Sequence, residues 1–148
     1  VLNTYPASDY QEPWHAWSAI WSDLGFVCPT KRALIEHADN GNDAYFYVFS
    51  HVRPEWENLG LGAFHGAEIP FVFHDSRPGW SGEDRALADR MTRWWIRFAR
   101  DGEPGAVDGT SWPAYDGDRA MEFDGGGVGL REGFHDEACG FWTSYIRG

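Results

Sequence analysis

The sequence predicts an α/β fold, and two observations carry that prediction. A helix-like segment, "CPTKRALIEHADNG", runs through an Asn40-Gly41 turn into "AYFYVFSH" at residues 44–51, a continuous aromatic and β-branched run. Helix, tight turn and buried strand make half of an α/β unit. Further on, "EDRALADRMTRWWIRFARDG" places Leu87, Met91, Trp94, Trp95 and Phe98 on one face at helical spacing.

The elements can be justified in chain order. Residues 1–13, "VLNTYPASDYQEP", are polar and show little periodicity, so they read as a connector. In "WHAWSAIWSDL", Trp14, Trp17 and Trp21 recur at i, i+3 and i+7, a helical stripe. The second helix starts at Pro29 or Thr30, carries Ala33, Leu34 and His37 along one side, and ends at Asn40-Gly41. The run at 44–51 is short enough for a strand, and its lack of alternation predicts burial on both faces. Ile69 to Phe73 reads as a buried edge of the fold.

Ser81 with Asp84 makes a capping-box-like start to the long helix, Arg97 and Arg100 suit its C-terminal end, and Gly102 stops it. "EPGAVDGTSWPAYDGDRA" is a loop dense in turn residues. "AMEFDGGGVGLREG" reads as two short strands around a glycine turn. "HDEACGFWTSYIRG" closes as an amphipathic helix bearing Ala138, Phe141, Trp142 and Tyr145.

A chain of 148 residues can hold a core of its own, and its many aromatic rings, spread along every segment, read as core-filling. A formal net charge of −11 argues against nucleic acid, whose phosphates it would repel. No stretch approaches the roughly 20 apolar residues of a membrane span, and no signal peptide is read at "VLNTYP", a start equally consistent with one already removed. Cys28 and Cys139 lack metal-ligand spacing; they are either buried free thiols or one long-range bridge.

The stretch "GAFHGAEIPFVF", residues 62–73, concentrates the chemistry. His65 sits among Gly62, Ala63, Gly66 and Ala67, small residues that let the backbone turn tightly and leave the imidazole accessible. A metal site built from His51, His65, Glu68, His74 and Asp75 has no H-E-x-x-H and no paired cysteines behind it, so no metal and no cofactor are expected. The near-match to G-x-S-x-G, "GWSGE", ends in Glu83 and lacks a preceding buried strand. Ser81 is better read there as a helix cap. His65 is thus a candidate general acid/base without a nucleophile in the same chain.

Taken together, the ordered segments "SDLGFVCPTKRALIEHADNG", "AYFYVFSH", "LGAFHGAEIPFVF", "MTRWWIRFARDGEPG", "WPAYD", "MEF" and "ACGFW" resemble the C-terminal part of a type-B carboxylesterase, in the cholinesterase-like branch of the α/β-hydrolases. The resemblance implies a mixed, mostly parallel sheet flanked by helices, incomplete by itself, with residues 1–148 belonging to a single catalytic domain. Within the family's H-G-x-E-[IL] segment, His65 matches the catalytic histidine and Glu68 a characteristic supporting glutamate, with Gly62 and Gly66 clearing space. Cys28 and Cys139 match a disulfide pair, which implies an extracellular or periplasmic setting. Phe64, Phe71 and Trp80 are candidate walls of an acyl or alcohol pocket, with core packing an equal alternative for each.

In this fold the triad follows the chain order serine, acid, histidine. The G-x-S-x-G serine, the acid and the oxyanion loop are therefore expected upstream, the chain covering about the last quarter to third of such an enzyme. The partners this implies are that upstream segment and a small ester. A non-catalytic interaction module of the same family is the competing expectation.

Overall fold

The computed structural model describes residues 1–147. The chain divides into two compact units: Val1–Ala44, Tyr115–Asp118 and the segment from Gly133 onward form one, and Tyr45–Ala114 with Arg119–Glu132 form the other.

In the first unit, helix α1 (Pro13–Ser22) continues through a wide π-type turn, Asp23–Val27, into α2 (Cys28–Asp39). The second helix therefore has no free start at Pro29 or Thr30; it inherits its register from α1. The expected apolar stripe is rotated as well. Lys31, Leu34 and Ala38 turn inward at i, i+3 and i+7, whereas Ala33 and His37 are exposed. Lys31 is accommodated because its ammonium group donates to Phe134 O at 2.7 Å and pairs with Asp136. Helix α6 (Asp136–Arg147) is tied to the start of α2 by the disulfide Cys28–Cys139.

The centre of this unit is polar. Asp23 is buried and accepts from the Tyr5 hydroxyl at 2.7 Å, while its other oxygen meets the His135 ring. Trp142 Nε1 donates to Tyr5 Oη at 2.7 Å. Tyr5, in the presumed connector, is thus a buried cornerstone. The helical stripe of α1 behaves in the opposite way. Trp14, Trp17 and Trp21 are 53%, 60% and 53% exposed, so the reading of all the rings as core-filling fails for these three.

The second unit is α/β, with strand β1 (Tyr47–Phe49), short helices α3 (Pro54–Asn58) and α4 (Ile69–Val72), and the long helix α5 (Gly82–Asp101). Strands β2 (Ala106–Val107) and β3 (Thr110–Ser111) form a small hairpin inside the expected loop. The main sheet has the order β1-β4-β5, with β4 (Ala120–Asp124) and β5 (Gly127–Arg131). It is mixed, as expected: β1 runs parallel to β4 and β4 antiparallel to β5.

The strand expected over 44–51 is shorter, because Ser50 and His51 both donate their N–H to the same Phe123 carbonyl and the ladder ends there. Ile69 to Phe73 forms a helical turn, burying Phe71 and Val72 and leaving Ile69 and Phe73 in solvent. Helix α5 matches its reading closely: Ser81 and Asp84 complete a capping box, and Gly102 ends the helix at φ 78°. Its Leu87, Ala88, Met91 and Trp94 enter a core closed by Met121 and Phe123 of β4.

Candidate active site around His65

His65 lies on the turn between α3 and α4, within the second unit. The turn is closed at its base by Leu61 N donating to Trp56 O at 3.0 Å and by an edge-on contact of Trp56 with Phe64, centroids 5.1 Å apart. Gly62 (φ 59°) and Gly66 (φ 86°) both adopt left-handed conformations, which side-chain-bearing residues enter at a cost. Between them His65 is exposed, while Ala67 beyond it is buried. The sequence pattern of small residues thus becomes a tight turn that presents the imidazole to solvent.

Glu68 caps α4 with its backbone: its carbonyl accepts from Phe71 N at 2.9 Å and Val72 N at 3.0 Å. Its carboxylate stands near the Tyr47 phenol, which burial first and the Glu68 charge second push above the ordinary value. Helix α4 is pinned to α5 by Thr92, whose hydroxyl donates to the carbonyls of Phe71 and Val72 at 3.2 and 3.0 Å. The His65 turn is therefore mounted on a short helix that is itself bolted to the longest helix of the unit.

The three candidate wall residues come together. Phe64, Phe71 and Trp80 line one cavity of about 270 Å³, joined there by Trp56, Arg53 and Gly66. Ser81 serves as the helix cap, its hydroxyl accepting from Asp84 N at 3.0 Å. Of the residues weighed as metal ligands, His74 pairs with Asp89 and His51 with Asp84, each at 2.7 Å.

That last pair, with Arg53, is what sequence reasoning missed. His51 and Asp84 are both buried, and Arg53 Nε lies 3.5 Å from the other Asp84 oxygen while its guanidinium covers the Trp56 ring at 5.6 Å. Burial alone would raise the Asp84 carboxyl. Hydrogen bonds from His51 and from the Ser81 backbone and hydroxyl, together with the Arg53 charge, outweigh burial and hold it below the usual carboxylate range. Gly125 is required beside this cluster, since a β-carbon there would run into the His51 ring. The available signal was the spacing of His51 and Arg53, two residues apart just beyond a strand, both of which reach Asp84.

Known proteins place this geometry in context. The chain is 33% identical to the acetylcholinesterase of Gallus gallus over 86% of its own length and 18% of that protein's. It is 28% identical to acetylcholinesterase 1 of Caenorhabditis elegans over 99% of its length and 27% of that protein's. With carboxylesterase 5A of Mus musculus it shares 33% identity over 86% of its length and 24% of that protein's. The chain thus spans between about a fifth and just over a quarter of these relatives, from below the expected quarter to third up to its lower end. The model of the carboxylesterase family matches residues 2–142, nearly the whole chain, and with the ordered helices and mixed sheet described above the conclusion is that this chain belongs to the carboxylesterase family.

Proposed function

We propose that this chain is the histidine-bearing part of a serine carboxyl ester hydrolase, with both of its units inside one catalytic domain. His65 is the general acid/base, and the nucleophilic serine, the triad acid and the oxyanion hole come from an upstream segment of the same enzyme. The observation that carries this reading is the placement of His65: solvent-facing, on a turn held by two left-handed glycines, at the histidine of an intact H-G-x-E-I segment.

The chemistry follows from the imidazole's ability to take and return one proton near neutral pH. The His65 ring accepts the serine proton as the serine oxygen attacks the ester carbonyl. It then delivers that proton to the departing alkoxide, leaving an acyl-enzyme and a free alcohol. In the second half, water loses a proton to the same ring and attacks the acyl carbon. The proton returns to the serine oxygen as the acid departs, so ester and water become acid and alcohol. Backbone donors of the oxyanion hole balance the negative charge that develops on the carbonyl oxygen. Glu68 supports the turn and takes no part in the proton path.

The disulfide Cys28–Cys139 favours an extracellular or periplasmic location for the enzyme. Among the described residues, no helix is long and apolar enough to cross a membrane.

The deciding experiment replaces His65 in the complete enzyme. His65→Ala lowers kcat for a p-nitrophenyl ester by about a thousandfold or more, with circular dichroism and melting unchanged. A folded His65→Ala enzyme with near-normal turnover would overturn the assignment.

A further inference from the structure

The turn that carries His65 has two flanks, and they are held differently. Its exit flank is α4, which Thr92 bonds to α5 through the carbonyls of Phe71 and Val72. Its entry flank is α3, five residues long and too short to persist by its own hydrogen bonds. Pro54, Glu55, Glu57 and Asn58 all face solvent, so this helix offers one inward side chain, the half-buried Trp56. Between the flanks stand Gly62 and Gly66, left-handed positions where a missing β-carbon leaves the backbone free to rotate. The place of the imidazole therefore depends on what fixes Trp56.

Arg53, the residue that caps α3, does so. Its carbonyl accepts from Trp56 N at 2.9 Å and Glu57 N at 3.0 Å, while its side chain makes no cap bond and is buried instead. The guanidinium covers the Trp56 ring at 5.6 Å, and Nη1 pairs with Glu55 at 2.5 Å. Nε, closed to water, makes no hydrogen bond among the described residues and lies 3.5 Å from Asp84 Oδ2. Away from water the two charges attract each other more strongly than a surface pair would. Asp84 is itself fixed: Oδ1 meets His51 Nε2 at 2.7 Å, and Oδ2 accepts from Ser81 N at 2.7 Å, at the start of α5. A planar guanidinium can lie on a ring and face a carboxylate at once. The Trp56 carbonyl then accepts from Leu61 N at 3.0 Å, and its ring meets Phe64 edge-on at 5.1 Å. An unbroken run of contacts leads from the start of α5 to the residue preceding His65.

We infer that Arg53 is a positioning residue for His65: stacked on Trp56 and drawn to Asp84, it locks the entry flank of the turn to the same helix that holds the exit flank. The role in catalysis rests on the reading of His65 as general acid/base, and the tie itself on the geometry alone.

The test uses the complete enzyme with ethyl acetate, a substrate without a ring to meet Trp56, and reads turnover beside amide exchange. Arg53→Met and Trp56→Leu each lower kcat about tenfold or more while KM stays within about twofold, the mark of an interaction realised in the transition state. Trp56→Phe, which keeps a ring under the guanidinium, restores most of kcat. The double variant loses little more than either single one, because both act through one stack. In each single variant the Leu61 amide exchanges about tenfold faster, with protection inside α5 unchanged. Near-normal kcat in a folded Trp56→Leu enzyme, losses confined to KM, or losses that multiply in the double variant overturn the proposal and leave the hydrolase reading intact. If Arg53→Met fails to fold, Trp56→Leu and Trp56→Phe decide alone. If His65→Ala leaves turnover unchanged, the hydrolase reading falls, and Leu61 exchange still decides whether the Arg53–Trp56 stack holds the turn.

Discussion

In the unit built on β1, β4, β5 and α5, the largest side chains closed to solvent are apolar, Phe71, Met91, Trp94, Met121 and Phe123 having no exposed surface, and the buried polar groups His51, Arg53 and Asp84 gather in a single cluster. In the unit that carries α1, α2 and α6, the buried positions include Tyr5, Asp23, Lys31, Tyr115 and Trp142, while Trp14, Trp17 and Trp21 stand open. The first rests on packing, which is non-directional and tolerant of small shifts. The second rests on a disulfide and on hydrogen bonds among residues far apart in sequence, which work only in one geometry. The candidate catalytic turn sits on the packed unit, where a rigid scaffold suits a residue that must hold its position.

The contrast is sharpened most by cutting the covalent tie. The bridge closes a separation of 111 residues, for which the chain-entropy model assigns about 4 to 5 kcal/mol. Cys28→Ser should therefore raise amide exchange throughout α1, α2 and α6 while leaving protection in β4 and α5 near its original level. Loss of protection in both units together would break the comparison.

The counterpart in the packed unit is Trp94→Ala. Trp94 is closed to solvent and meets Phe123 edge-on at 5.4 Å, so truncation should cost about 3 to 5 kcal/mol in a urea melt. A cost under about 1 kcal/mol would show that this core collapses around the gap and that packing is not what holds the unit.

Tyr5→Phe probes the polar centre and has a smaller effect. It removes the donor to Asp23 and the acceptor for Trp142, a loss of about 1 to 3 kcal/mol at neutral pH. Its pH dependence has a definite sign. Burial, and then the Asp23 carboxylate, push the Tyr5 phenol from 10.0 up to about 12. A folded state that favours the neutral phenol is stabilised fully below pH 10 and loses that contribution as pH rises toward 12. The stability gap between the native protein and Tyr5→Phe should accordingly be smaller at pH 11 than at pH 9 in urea melts followed by tryptophan fluorescence. An unchanged gap would mean that the Tyr5–Asp23 bond contributes nothing through the phenol's proton.

Where local chemistry governs, the sequence was a reliable guide. The capping box at Ser81 and Asp84, the glycine stop at Gly102 and the two strands around the glycine turn at 125–126 all depend on residues within a few positions of one another. The accessibility of His65 was legible for the same reason, since small neighbours act on their own backbone. The Trp stripe of α1 was misread because periodicity reports which residues share a face and is silent about what covers that face. Arg53 and the His51–Asp84 pair escaped notice because their partners lie 31 and 33 residues away, on another element.

By itself, the sequence determined the α/β class, both ends of the long helix, the family resemblance and a turn able to present the His65 imidazole, because each is written in adjacent residues or in ordered motifs. Tertiary structure alone decided that Lys31 and Tyr5 turn inward, that Asp23 gathers Tyr5 and His135, and that Phe64, Phe71 and Trp80 share one cavity. Burial of a polar group is settled by whether a distant partner arrives to satisfy it, and a cavity exists only where separate elements stop short of filling space.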